Sequence, residues 1–299
     1  MKKIKKFNQS QKLSWRRDDF ERRIGFEGDR FVKVSALPSG LLAALTTVAF
    51  YVVLVYVPDN AFKLMFTERG WTPYAVVALG SWTFFLLWIK TRKIKLQRKP
   101  LKMNILPDDP DFVLTVGTVD KVLDQITKNA DSPKDFILYR RIIQTLSNLR
   151  NIGRVSDVDA LFRSQAEQDD NVSETSYSLV SGFLWAIPIL GFIGTVIGLS
   201  QAIGEFTGVL TASSDMSELT PALKEVTAGL STAFETTLVA LSVALTLQLF
   251  ATFVRKSEEE LLDEISDYCT SNIVTKIRVE DENVAPVKET NDNPRTENA

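Results

Sequence analysis

The sequence predicts an all-α, polytopic membrane protein with four transmembrane helices and helical cytoplasmic extensions. Two observations carry this fold class. Four segments are apolar over about the 20 residues, at roughly 1.5 Å each, that a helix needs to cross a bilayer. The charge is also placed unevenly: residues 1–33 hold eleven Lys/Arg against five Asp/Glu, and residues 257–299 hold four against twelve.

Residues 1–33 read as a basic cytoplasmic N-terminal segment lying against anionic lipid. No recognised fold or aromatic-interleaved basic motif accompanies the charge, so no nucleic-acid partner is expected. Residues 34–90 hold transmembrane helices 1 and 2. The first is "VSALPSGLLAALTTVAFYVVLVYV", which ends at Pro58. Its apolar core is too long for a cleaved signal peptide, and 33 residues precede it. The second is "YAVVALGSWTFFLLWI", with Trp71 and Lys90 placed to sit at the two interfaces.

Residues 91–174 read as a cytoplasmic helical domain. It opens on "KTRKIKLQRK" (90–99), which is rich in Lys and Arg and holds no acid, and the positive-inside rule puts such a stretch in the cytoplasm. Ser132-Pro133 and Ser156-Asp157 read as helix starts. Residues 175–255 hold transmembrane helices 3 and 4. The third run has no charge from Thr175 to Gly204, and the fourth, Val226 to Val254, has one, Glu235. Both are long enough to project beyond the hydrocarbon or tilt. Residues 256–279 read as a cytoplasmic amphipathic helix opened by a capping box at Ser257. Residues 280–299 have too little apolar mass to fold. Both termini are therefore expected in the cytoplasm, and the two short loops outside.

The chain has one cysteine, Cys269, and no histidine. That excludes an intrachain disulfide, a Cys/His zinc site and any His-based catalytic triad or dyad. No paired membrane aspartates replace them. No enzyme activity, metal or cofactor is expected, and Cys269 reads as a small core residue.

The third helix contains "GFLWAIPILGFIGTVIGL". Gly and Pro in a helix interior cost about 1 and about 3 kcal/mol relative to Ala, so something must offset them. At 100° per residue, Gly191, Gly194, Thr195, Gly198 and Ala202 share one face, with Pro188 on the same side. Small faces let backbones approach closely, and this one is expected to lie against another chain. On the fourth helix Ala233, Thr237, Ala240 and Ala244 form a second small face, while Ser231 and Glu235 point nearly the opposite way. Helical rise puts Thr195 and Thr237 at about the same depth. Their hydroxyls either pack the helices or border an ion path; neither binds a proton at neutral pH. Glu235 is an intramembrane acid, read either as functional or as protonated and hydrogen-bonded to Ser231, Ser242 or a neighbouring subunit.

"AIPILGFIGTVIGL" and "LTPALKEVTAGLSTAFETTLVAL" resemble the third- and fourth-helix signatures of the MotA/TolQ/ExbB proton-channel family over about residues 175–255. Four spans are like the flagellar stator branch, whereas Thr195 is like the TolQ/ExbB branch. The resemblance implies a homopentamer around a dimer of a single-span partner of the ExbD/TolR/MotB type, in a bacterial inner membrane. It implies that the partner's membrane aspartate carries the ion, H⁺ or Na⁺, past Thr195 and Thr237. The TolQ/ExbB glutamate position is Thr232 here, and Glu235 stands about 60° round the helix from it. The implied function is the pore-forming subunit of an ion-driven motor or stator. The alternatives are a non-conducting oligomeric scaffold or signalling protein and, within the family, an anti-phage defence motor.

Overall fold

The computed structural model describes residues 12–19, 21, 34–106, 112–115, 117–149, 155–211 and 216–278. Most of the basic head, and residues 280–299, read above as having too little apolar mass to fold, lie outside them. A short turn, α1 (Trp15–Asp18), precedes α2 (Ala36–Tyr56), α3 (Ala61–Thr67) and α4 (Thr72–Gln97). Then come α5 (Val119–Asn129), α6 (Ile137–Ser147), α7 (Val155–Ser176), α8 (Ser178–Thr211) and α9 (Met216–Tyr268). Among the described residues four helices are long and apolar enough to cross a membrane: α2, α4, the joined α7–α8, and α9. Among the described residues the extended pairing consists of isolated bridges, Leu13 with Ala130 and Leu114 with Ile277.

Helix α2 turns Leu37, Leu41, Leu45, Val48 and Val52 outward, as a lipid-facing surface requires. Its inner side packs on α4, where Trp82 Nε1 donates to Ser39 Oγ at 3.2 Å and Gly40 makes room for the indole. Asn60 caps α3 by accepting from the Lys63 amide at 2.8 Å. Gly70, at φ 77°, adopts the left-handed turn that starts α4. Trp71 stands at that end of α4 and is exposed.

Helix α4 does not stop at Lys90. It runs on to Gln97, and Lys90 and Lys93 are 3% and 1% exposed, buried against other parts of the chain. The reason is charge pairing inside the helical domain. Lys90 Nζ lies 3.0 Å from Glu258 Oε2, Tyr177 donates to the same carboxylate at 2.8 Å, and Lys93 pairs with Glu21. Part of the basic head is thus built into the domain: Leu13, Trp15 and Glu21 are buried, and Trp15 meets Phe136 edge-on at 5.3 Å. Around them pack Ile126, Tyr139, Ile142, Phe162, Ile265 and Cys269. Buried Arg141 joins α6 to α7 through Asp169 (2.7 Å) and to α9 through Ser266 (2.9 Å).

The Ser257 capping box starts no helix. α9 continues through it because Leu247, Ala251, Val254, Glu258, Leu261 and Ile265 form one buried stripe without a change of phase, and a π-helical turn, Cys269–Ile273, follows its last residue. Pro133–Asp135 forms a separate 3₁₀ turn before α6, and the Ser132 side chain makes no capping bond. The segment expected as the outer loop between spans three and four is mostly helical. α8 reaches Thr211 and α9 begins at Met216.

Removing one member of a buried ion pair strands the other charge. Lys90→Met should therefore lower unfolding stability in detergent by about 3–5 kcal/mol. Adding Glu258→Leu should recover much of it, because an apolar pair carries no desolvation cost. Equal stability of Lys90→Met and wild type would mean that this pair does not form.

Candidate functional site

The glycines of α8 are used by α9 of the same chain. A Cβ at Gly191 would stand 2.5 Å from Ala240 Cβ, and one at Gly198 would stand 2.6 Å from the Ala233 amide nitrogen. Gly229 of α9 reciprocates, with Ala202 N at 2.8 Å from its missing Cβ. The face expected to meet another chain is thus occupied within the subunit. Close backbone approach is the compensation for glycine in these helices. Ala233 and Ala240 are buried in this seam, and Ala244 packs beside it with Ile187. Pro188 lies lower on α8 and lines a groove with Leu184 and Gln248.

The same seam brings Thr195 and Thr237 together. Their hydroxyls contact each other directly. Thr195 Oγ1 also reaches the carbonyls of Gly191 (3.2 Å) and Ala233 (3.1 Å). Thr237 Oγ1 reaches the same two carbonyls, each at 3.1 Å. Two hydroxyl protons are shared among more oxygens than they can serve at once. Donor and acceptor can therefore exchange between the threonines by hydroxyl rotation alone. Both side chains are half-buried. The site offers oxygens to a carboxylic acid, a water or a hydrated cation, and supplies no group that titrates near neutral pH.

On the far side of Gly194 stand two further hydroxyls, Thr236 and Thr72. Each would lie within 3 Å of a Cβ at that position. Thr236 donates to the Thr232 carbonyl at 2.9 Å, while the buried Thr72 hydroxyl has no partner. The sequence signal for Thr236 was its place beside Thr237; for Thr72, at the start of another helix, there was none.

Glu235 has a cation for a partner, not hydroxyls alone. Arg69, from the turn between α3 and α4, donates through Nε at 2.7 Å to one carboxylate oxygen and through its terminal nitrogen at 3.2 Å to the other. Ser231 donates at 2.6 Å, and Arg69 reaches Thr232 at 3.4 Å. The bidentate guanidinium is a partner that the sequence reading, which named only Ser231, Ser242 or a neighbouring subunit, did not include. Arg69 escaped the sequence reading because it lies in a connection whose charge is balanced. Glu235→Gln should lower thermal stability only modestly, since Gln retains hydrogen bonds to Arg69 and Ser231. Glu235→Lys should cost clearly more by placing a second cation beside Arg69, and Arg69→Glu in the same chain should restore it. A Lys variant as stable as wild type would rule out the ion pair.

Fold and site together define a multi-pass, all-α membrane protein in which two long apolar helices close on a pair of hydroxyls. The MotA/TolQ/ExbB proton channel family matches residues 129–267, from the end of α5 to the last turn of α9. Over that segment the chain is similar to this family, which is described as one of proton channels. α2 and α4 lie outside the matched segment. No curated protein and no solved structure matches the chain.

Proposed function

We propose that this chain is the pore-forming subunit of an ion-driven motor or stator complex in a bacterial inner membrane, with its termini in the cytoplasm. Five copies surround a dimer of a single-span ExbD/TolR/MotB-type partner. A membrane aspartate of that partner accepts an ion, H⁺ in the first instance, and passes it along the ring of Thr195 and Thr237. Ion flow turns or pulls the partner against the ring, and the work is done by the partner. The subunit itself makes and breaks no covalent bond and needs no cofactor.

The observation that carries this reading is the hydroxyl pair of Thr195 and Thr237, set among the Gly191 and Ala233 carbonyls in an otherwise apolar seam. A carboxylic acid brought alongside finds both donors and acceptors there. The experiment is reconstitution of the chain with a short single-span, aspartate-bearing partner in vesicles holding a pH-sensitive dye. A pH gradient should dissipate only when both proteins are present, and replacing the partner's aspartate by asparagine should stop it. No partner-dependent flux of H⁺ or Na⁺ would refute the motor reading.

One observation favours a rival. Each hydroxyl also bonds back to a carbonyl of its own helix, Thr195 to Gly191 and Thr237 to Ala233, as a purely packing threonine does. A non-conducting scaffold or signalling oligomer built on the same seam would show that geometry. It would assemble normally in the vesicles and pass no ions. An anti-phage role within the family would show the same flux and differ in the partner's target.

A further inference from the structure

We propose that the groove between α8 and α9, on the side of the helical domain, holds one anionic phospholipid from the adjoining leaflet. The groove has a volume of about 800 Å³. Its α8 wall is apolar away from the helical domain, at Leu184, Ile189 and Phe192. Towards the helical domain it gains hydroxyls, Ser181 and Thr252, and it ends at Arg255. An oily wall closing on hydroxyls and a cation has the polarity profile of an amphiphile.

Length agrees with this. From Tyr177 to Phe192 the wall covers fifteen helical steps, about 22 Å, which is half of a bilayer of roughly 40–45 Å including headgroups. Arg255 is the residue at which the uncharged part of α9 ends, so it stands at headgroup level.

Charge decides which amphiphile. Lys90 and Arg255 both lie over the Tyr177 ring, at 4.1 and 4.9 Å from its centroid. Lys90 is neutralised by Glu258. Among the described residues no carboxylate lies within ion-pair distance of Arg255, which is exposed at the mouth. A phosphodiester presents paired oxygens that match a guanidinium fork. An apolar protein helix laid in the groove would leave Arg255 without an anion. A zwitterionic lipid would bring a second cation next to it.

Trp185 lines the groove and is 76% exposed, so it reports on the occupant. The full chain is placed in mixed vesicles of phosphatidylglycerol and phosphatidylcholine, with bromine on the tails of one or the other lipid. The Trp185 signal is the difference between wild type and Trp185→Phe. Brominated phosphatidylglycerol should quench it with roughly fivefold preference over its mole fraction. Arg255→Gln should abolish the preference, Arg255→Lys should keep part of it, and Ser181→Leu, which fills an exposed part of the wall, should reduce quenching by both lipids. Three results overturn the proposal: equal quenching by the two lipids in wild type, a preference unchanged in Arg255→Gln, or a Trp185 that neither lipid reaches because a protein helix covers it. The outcome does not depend on ion flux, so it stands or falls separately from the motor reading.

Discussion

Vesicles carrying Thr195→Val or Thr237→Val together with the single-span partner should pass ions roughly ten- to a hundredfold more slowly than wild type. Oligomer assembly should be nearly unchanged. Valine fills the same space, so Gly191, Ala233 and Ala240 still meet across the seam. What disappears is one of two hydroxyls that reach both carbonyls and each other. A hydrogen bond to a charged group is worth about 1.5–3 kcal/mol. At about 1.4 kcal/mol per factor of ten, that predicts the stated loss if the bond is felt in the slow step. In either single variant the surviving threonine keeps the Gly191 and Ala233 carbonyls, which is why folding should tolerate the change. Serine at either position should retain most of the flux. If both valine variants conduct normally while bulkier residues do harm, the threonines pack helices and have no part in conduction.

How much of this was legible in the sequence depends on what kind of information each feature needs. A face is local: positions 191, 194, 195 and 198 fall together by helical geometry, and so do 233, 237 and 240. A partner for that face is not local. Periodicity says that Gly198 meets a close backbone, but the distance to Ala233 N in the same chain comes only from the tertiary structure. Depth was readable because both helices start from opposite ends of apolar runs with the same rise, and the threonine hydroxyls do lie in contact.

The misreadings have one cause, the competition between a local signal and long-range packing. Ser257-Glu258-Glu259-Glu260 has the composition of a helix start. Glu258, however, is the residue that meets Lys90 from α4, and the buried stripe on either side keeps its phase. For Lys90 the sequence shows the apolar run before it but not the carboxylate it meets. Its counter-charge lies 168 positions away in sequence, beyond any window of local pattern. Arg69 and Glu235 are 166 positions apart and belong to the same class.

The glycine seam yields the other large effect. Gly198→Leu should unfold or dissociate the α8–α9 pair, and Gly182→Leu, on the same helix, should be tolerated. A Cβ at position 198 would stand 2.6 Å from Ala233 N, 2.7 Å from the Gly229 carbonyl and 3.0 Å from Ala233 Cα. These are backbone atoms, which cannot turn aside as a side chain can. Even Gly198→Ala must push the helices apart, at about 1–3 kcal/mol for overpacking, against less than about 1 kcal/mol gained in helix propensity. Leucine adds three more carbons in the same gap. At Gly182 nothing lies within 4 Å of the added carbon, so propensity alone acts and the sign reverses. Thermal unfolding in detergent should rank the variants Gly182→Ala at or above wild type, then Gly198→Ala, then Gly198→Leu. Separation at 198, one turn from Thr195, also parts the two hydroxyls, so flux should fall together with stability, unlike in the valine variants. Equal behaviour of the 182 and 198 leucine variants would show that the seam is not held by backbone contact.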